Sequence, residues 1–125
     1  MTDEPYEMDM SPEESPMKEE KIHTDNWVDV QQSHINYPST FDAPDITDIA
    51  AVRPGNLVKI SFPGSIRSPG ERFWVEVTKC EEQGGNAFSK RFVGIVSNIL
   101  IFDRPYNRGD LVTFVGRNIY DIRPE

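Results

Sequence analysis

The 125-residue chain contains one cysteine, two histidines and no long apolar run. Because Cys80 is alone, no intramolecular disulfide can form, and no zinc site with several thiolate ligands can be built. The longest apolar run, Ile99–Phe102, is far shorter than the roughly 18 residues that a membrane span needs. The first residues carry no basic start followed by an apolar stretch, so we expect neither a signal peptide nor membrane association. A lone thiol predicts a reducing compartment, the cytoplasm.

The sequence also lacks the motifs of common catalytic sites. It has no glycine-rich phosphate loop ahead of a helix, no nucleophile elbow and no His-Glu-x-x-His. A dyad of Cys80 and His34 is disfavoured because two glutamates follow the cysteine, and carboxylates oppose thiolate formation. A metal site built from His23, Asp25 and His34 would have no recognisable ligand spacing. We therefore predict a non-enzymatic protein with no catalytic residues, no metal ligands and no cofactor.

The charge is divided unevenly along the chain. Residues 1–52 hold 13 Asp and Glu against 2 Lys and Arg, a net of −11, whereas residues 53–125 hold 8 against 11, a net of +3. Residues 1–22 combine many acids and three prolines with little hydrophobicity. Such a segment buries too little apolar surface to offset its ordering entropy. We predict a disordered acidic tail over 1–22, ahead of a mildly basic body.

Residues 23–52 predict an N-terminal arm that packs on the body. Trp27, Tyr37 and Phe41 are too apolar for a free linker, and we assign them as the anchors of this arm. We expect Trp74 of the body to be half covered by the Tyr37–Phe41 segment.

Two short helices are predicted within the arm. The first begins at Asp25 or Asn26, which supply capping side chains, and runs through Gln32. The second spans Ala43–Val52 and carries acids near its N-terminus, where the helix dipole favours them.

From Arg53 onward the sequence predicts β-structure. The clearest strand is Gly70–Thr78, whose apolar residues alternate with polar ones around Trp74, the period of a half-buried strand. Further strands are predicted at Leu57–Phe62, Ala87–Asn98, Ile99–Phe102, Leu111–Val115 and, as a strand or a 3₁₀ turn, Asn118–Ile122. Gly94 predicts a bulge or bend. The expected fold is mainly β, a small SH3-like barrel or β-roll of five to six strands over residues 53–125, with one or two short N-terminal helices.

Several short blocks of the sequence occur in an order typical of one family. They are Tyr37–Phe41, Pro54–Lys59, Gly70–Val77, Phe92–Gly94 with Asn98, Gly109–Phe114 and Ile119–Ile122. This set resembles the YegJ-like domain of unknown function, a group of short bacterial and phage proteins, over residues 37–122. The resemblance implies a compact β domain of bacterial or phage origin, located in the host cytoplasm if phage-encoded, and it supplies no reaction. Ser97–Leu100 is more apolar than the Asn-Asp type of sequence common there, which puts a site at that turn in doubt.

Basic and aromatic residues are interleaved along the predicted strands and loops. The candidate partner-binding residues are Arg67, Arg72, Trp74, Asn98, Tyr106 and Arg108. An aromatic residue beside an arginine is a common hot spot, and small β domains offer edge strands to partners. Our leading hypothesis is a binding or adaptor module for a protein partner. The alternative is a nucleic-acid-binding small barrel regulated by its acidic tail, because basic grooves with stacking aromatics bind single strands. The oligomeric state and the exposure of Trp74 stay open.

Overall fold

A computed structural model describes residues 21–40, 42–64, 70–81, 85–101 and 105–123. The strands are β1 (Ile22–His23), β2 (Leu57–Phe62), β3 (Glu71–Glu81), β4 (Arg91–Val96), β5 (Leu111–Val115) and β6 (Asp121–Arg123). The helices are α1 (Val30–Asn36) and α2 (Ile46–Ala50), and 3₁₀ turns lie at Ala87–Ser89 and Gly116–Asn118. Residues 1–20 of the predicted tail, the predicted anchor Phe41 and the candidate Arg67 lie outside the described residues.

The strands form one mixed sheet in the order β1-β5-β4-β3-β2-β6. Strands β2 to β5 make an antiparallel meander, β1 pairs with β5 in parallel, and β6 returns to pair with β2 in antiparallel. The predicted mainly β fold with short N-terminal helices is confirmed. The sheet is not closed, since β1 and β6 are its two edges, so a closed barrel is not confirmed.

Alternation of apolar and polar residues places one face of this sheet in the core. On β2 and β3, the pairs Val58–Val75 and Ile60–Phe73 are direct cross-strand partners, and all four side chains are buried. Because successive side chains on a strand point to opposite faces, the residues between them face solvent. The predicted bounds of β2 and β5 are confirmed, whereas β3 runs further than predicted, to Glu81.

The buried face is one continuous core. It consists of Trp27, Ile49, Val52, Val58, Ile60, Phe62, Phe73, Val75, Val77, Phe92, Val96, Tyr106, Val112, Phe114 and Ile119. Most of these residues belong to the sheet, and the others come from the arm, from α2 and the residues just after it, and from the loops around β5. The core is therefore built between one sheet and a thin cover made of the arm, including α2, and of loops.

The N-terminal arm differs from its prediction at the first helix. Helix α1 begins at Val30, because Asp29 is its N-cap and accepts a hydrogen bond from the Gln32 N–H at 3.0 Å. Trp27 therefore precedes the helix, in extended chain. Helix α2, at five residues, is shorter than the predicted segment. Within the described residues, no helix has the length and hydropathy needed to cross a membrane.

Of two further predicted strands, one is shorter than expected and the other is not a strand over its described residues. The Asn86 side chain accepts a hydrogen bond from the Phe88 N–H at 2.9 Å and caps the 3₁₀ turn, so β4 begins only at Arg91. Residues 99–101 are not in a strand, and the remaining residue of that prediction, Phe102, lies outside the described residues. Apolar composition alone did not distinguish this loop from a strand.

Residues 24–29, which we call the strap, link strands that are distant in the sheet. The Trp27 Nε1–H donates to the Thr113 carbonyl of β5 at 2.8 Å. The next residue, Val28, donates its N–H to the Ser61 carbonyl of β2 at 2.9 Å and accepts from Asn118 Nδ2 at 3.1 Å. The strap thus joins β5 to β2, which are separated in the sheet by β4 and β3.

Tyr106 holds the strap from the core side. Its side chain is 0% exposed, and its hydroxyl donates to Asp25 Oδ2 at 2.8 Å. Its ring lies 5.7 Å from Trp27 and 6.3 Å from Phe73, between centroids. The assignment of Tyr106 as a partner-binding residue is therefore corrected, because its ring is enclosed in the core and its hydroxyl is bonded to the strap.

Gly94 lies where β3 and β4 approach each other closely. The register runs from Val77 opposite Gly94 to Lys79 opposite Val93, so the extra residue of a bulge, Thr78, belongs to β3 rather than to the strand that carries the glycine. A Cβ added at Gly94 would lie 2.3 Å from Val75 Cγ1 and 2.7 Å from the Glu76 carbonyl oxygen. Only glycine fits here without a shift of the partner strand.

We expect the substitution Gly94→Ala to lower the free energy of unfolding by about 1–3 kcal/mol, the usual cost of overpacking. The measurement is urea unfolding followed by tryptophan fluorescence. Ser97→Ala, at an exposed position just after the same strand, is the control and should change stability little. Equal midpoints for the two variants would contradict the close approach.

We expect Tyr106→Phe to cost about 1–2 kcal/mol, because it removes one hydrogen bond to a carboxylate while leaving the ring in place. The matched control is Tyr37→Phe, since the Tyr37 side chain is 61% exposed. Both variants are compared by urea unfolding. A loss as small at position 106 as at position 37 would show that the hydroxyl does not hold the strap.

Candidate binding surface

The solvent face of the sheet carries a group of cations and aromatic rings on β3, β2 and β6. We call Lys59, Arg72, Trp74, Tyr120 and Arg123 the cation–aromatic patch. Trp74 faces outward because it lies between two core residues of β3, and Lys59 faces outward for the same reason on β2. Arg72 and Arg123 are exposed, while the other three members are half-buried.

The rings of the patch each lie close to a cation. Lys59 Nζ and Arg123 Cζ are both 4.9 Å from the centroid of the Trp74 ring. Arg72 Cζ is 4.3 Å from the centroid of the Tyr120 ring. These distances are within the roughly 6 Å at which a cation is attracted by the face of an aromatic ring. Three positive charges are thus held on one face of the sheet.

Strand pairing brings these residues together from three parts of the chain. Lys59 is the direct cross-strand partner of Trp74. Arg123 lies on β6, opposite Leu57 of β2, and reaches Trp74 across β2. The patch therefore depends on the return of the last strand to the first strand of the meander.

Two carboxylates moderate the positive charge of the patch. Asp121 is the cross-strand partner of Lys59, and it also accepts a hydrogen bond from the Ile122 N–H at 2.9 Å. Glu76, two residues after Trp74, is exposed on the same face. The patch is therefore a set of positioned cations rather than a strongly basic surface.

A groove adjoins the patch along β6. One part of about 320 Å³ is lined by Thr40, Asp42, Lys59, Arg72, Tyr120 and Asp121. A second part of about 550 Å³ is lined by Asp42, Ala43, Pro44, Asp48, Ala51, Val52, Asn56, Tyr120, Asp121 and Ile122. Asp42, Tyr120 and Asp121 border both parts, so the two parts adjoin. Residues of the arm line one side, and residues of the sheet and the chain entering β6 line the other. A ligand on the patch would have a concave surface beside it.

Asn98 and Arg108, which the sequence analysis predicts to bind a partner, are not members of the cation–aromatic patch. The half-buried Asn98 accepts a hydrogen bond from the backbone N–H of Trp74 through Oδ1 at 2.6 Å. It therefore positions the Trp74 strand. Arg108 is exposed in the turn before β5, and no contact between it and the patch is found within the described residues.

The predicted anchors also differ from one another. Trp27 is 8% exposed and belongs to the core. Tyr37 is 61% exposed and follows α1 as its C-cap, so it does not belong to the core, and its role as an anchor of the arm stays a prediction. Trp74 is half-buried, and the cations that lie over its ring are Lys59 and Arg123. Its cover by the Tyr37–Phe41 segment stays a prediction.

Sequence reasoning missed Lys59, Tyr120 and Arg123 as members of the surface. For Lys59 the signal was present, because it alternates with the apolar residues of β2. For the segment that contains Tyr120 the sequence predicts either a strand or a 3₁₀ turn, and the two assignments place side chains on different faces. Arg123 follows this segment directly, so the sequence also leaves open on which face of the sheet the Arg123 side chain lies. No local signal could have decided between them.

Cys80 and the histidines occupy separate places in the fold. The thiol of Cys80 is half-buried and lies 3.5 Å from the Val52 carbonyl oxygen. His34 belongs to α1, and His23 to β1, where its ring lies 5.7 Å from that of Tyr106. Within the described part of the chain, no three or more His, Cys, Asp or Glu residues are grouped so that they could hold a metal ion.

We expect Asn98→Ala to lower the free energy of unfolding by about 1 kcal/mol, since the Trp74 N–H loses its acceptor. Asn98→Asp keeps an acceptor oxygen at the same position and should retain more of the stability. Urea unfolding measures both. If the alanine variant were as stable as the wild type, Asn98 would not position the strand, and a direct role on the surface would be the better interpretation.

Comparison with known proteins found no relative: no family model, no curated protein and no solved structure matches the chain. The resemblance to the YegJ-like domain therefore stays a prediction. The functional interpretation of the patch rests on its geometry alone.

Proposed function

We propose that the protein is a non-enzymatic binding module that recognises a protein partner through the cation–aromatic patch. The observation that carries the proposal is the placement of three cations over two rings on one face of the sheet. Arginine and tryptophan are the side chains most often found at binding hot spots. Cations already held by rings lose less side-chain entropy when a partner binds.

The partner that best complements this surface presents carboxylates. Arg72 and Arg123 are exposed, and a guanidinium can bind a carboxylate through two parallel hydrogen bonds. The half-buried Trp74 provides apolar area at the centre of the patch. The adjoining groove along β6 provides room for the chain that carries the carboxylates.

We also propose that the open sheet curls into an SH3-like roll. Two features support this: β6 returns to β2 after the 3₁₀ turn Gly116–Asn118, and the strap joins β5 to β2. A roll would leave the outer face of β2, β3 and β6 available to a partner. A bacterial or phage origin and a cytoplasmic location, that of the host if phage-encoded, belong to the same proposal and rest on the resemblance and on the lone Cys80.

Nucleic acid is the second candidate ligand. It is favoured by the presence of three cations and two aromatic rings on one surface, the combination that single-strand-binding proteins use. The rings of Trp74 and Tyr120 already carry cations, however, so a stacking base would have to displace them. Binding of this kind would be carried by phosphate contacts and would weaken steeply with salt.

We expect the double variant Arg72→Gln with Arg123→Gln to lose at least about 10-fold of the partner recovered from a lysate of the source cells, the loss that about 1.4 kcal/mol of binding free energy produces. The measurement is quantitative mass spectrometry of proteins bound to the full-length chain. The control is Arg53→Gln with Lys79→Gln, which removes the same charge from exposed positions outside the patch. It should recover the partner as the wild type does.

Two results would count against the proposal. Equal recovery by the patch variant and the control variant would show that the patch does not bind the partner. Recovery that disappears after nuclease treatment, together with direct binding of labelled oligonucleotides that falls with salt, would favour nucleic acid instead.

A further inference from the structure

We propose that residues 1–20 of the same chain occupy the cation–aromatic patch when no partner is bound. This inference rests on the proposed function, because it assigns an internal competitor to the same surface. It identifies the occupant by charge, by the place where this segment joins the sheet and by the length of chain that it contains.

The charge of the segment complements that of the patch. Residues 1–20 hold eight Asp and Glu against the single basic residue Lys18, a net of −7. Six of the carboxylates form three adjacent pairs, Asp3–Glu4, Glu13–Glu14 and Glu19–Glu20. The patch presents Lys59, Arg72 and Arg123. The segment is thus the most acidic part of the chain, and it can place a carboxylate beside each of these cations.

The segment leads into β1 at a position that lies beside the patch along a line of paired residues across the sheet. Ile22 of β1 is paired with Leu111, Leu111 with Ile95, and Ile95 with Glu76 of β3. These paired residues form one line across the sheet and share its outer face.

The direction of β1 then sends the segment toward the patch. Because β1 is parallel to β5, and β5 and β3 are both antiparallel to β4, β1 and β3 run in the same direction. Residues that precede Ile22 therefore leave the sheet on the side where Trp74 and Arg72 precede Glu76. Glu19 and Glu20 come first along this route.

The length of the segment is sufficient. Three strand steps separate β1 from β3 and five separate it from β6, which at about 4.8 Å a step is about 14 Å and about 24 Å along the sheet surface. Twenty residues span up to about 66 Å when fully extended. The segment can therefore reach every cation of the patch.

Each ion pair between the segment and the patch would be weak, but the covalent connection of the segment to the sheet would favour the interaction. Exposed ion pairs contribute at most about 1 kcal/mol each and are screened by salt. A short tether holds a segment at an effective concentration on the order of millimolar, so several weak pairs suffice for occupancy. A partner with more carboxylates, or with an apolar group for Trp74, would displace the segment. The consequence is a binding surface that is closed to weak acidic ligands.

The test follows the two tryptophan indole N–H signals of the full-length chain by nuclear magnetic resonance. Trp74 reports on the patch, and Trp27, whose indole is bonded to the Thr113 carbonyl in the core, is the internal control. The tail variant replaces all eight carboxylates with amides: Asp3→Asn, Glu4→Gln, Glu7→Gln, Asp9→Asn, Glu13→Gln, Glu14→Gln, Glu19→Gln and Glu20→Gln. Trp74→Phe assigns the signals.

We expect the Trp74 signal of the wild type to be shifted from that of the tail variant at low ionic strength. In about 1 M NaCl, where the Debye length is about 3 Å, the two signals should coincide. The Trp27 signal should be the same in both proteins throughout. The variant Arg72→Gln with Arg123→Gln, with the natural tail, should lose most of the salt-dependent shift.

Three results would overturn the inference. The Trp74 signals of the wild type and the tail variant could coincide at low salt, or the Trp27 signal could shift as much as that of Trp74. The shift could also disappear on dilution, which would assign the tail of a second copy as the occupant. Partner recovery does not enter this readout. Loss of the partner by the patch variant without any tail-dependent shift would therefore overturn only this inference, and the reverse result would overturn only the proposed function.

Discussion

The fold depends on covering one apolar sheet face with very little chain. A single sheet exposes a full face of Val, Ile and Phe side chains, and here no second sheet packs against it within the described residues. The strap provides the central part of the cover by placing Trp27 in the core. Burial of a large apolar side chain contributes about 1.5–3 kcal/mol. The hydrogen bonds of Trp27, Val28 and Asp25 satisfy the polar groups that come with it.

This cover explains why the cation–aromatic patch lies on the opposite face. The strap, α2 and the loop that carries Tyr106 occupy the apolar side of the sheet, so only the outward-pointing residues of the strands remain for recognition. On β2 and β3 those residues include Lys59, Arg72 and Trp74. The same alternation that builds the core therefore also produces the patch.

The arrangement of the strands relates the acidic N-terminal part of the sequence to the cations of the patch. The acidic N-terminal residues and the cations of the patch are far apart in sequence, but β1 joins the sheet on the line of paired residues that includes Glu76. Because these charges belong to one molecule, their effective concentration near each other is much higher than it would be in separate molecules. Because such pairs would be exposed and screened, the competition that we propose is modest and salt-dependent rather than a fixed contact.

The sequence alone determined the central strands β2, β3 and β5 and the faces of their side chains. Period-two alternation is a local signal, and it was sufficient for the bounds of β2 and β5 and for the outward direction of Trp74. Which residues meet was decided only by the tertiary structure. Tyr106 was predicted to bind a partner because it stands among basic residues in the sequence, and its acceptor Asp25, which lies 81 positions away, gave no local sign of its burial. Arg123 joined Trp74 only through the pairing of β6 with β2. Contacts between distant segments depend on strand order and register, and no local pattern carries that information.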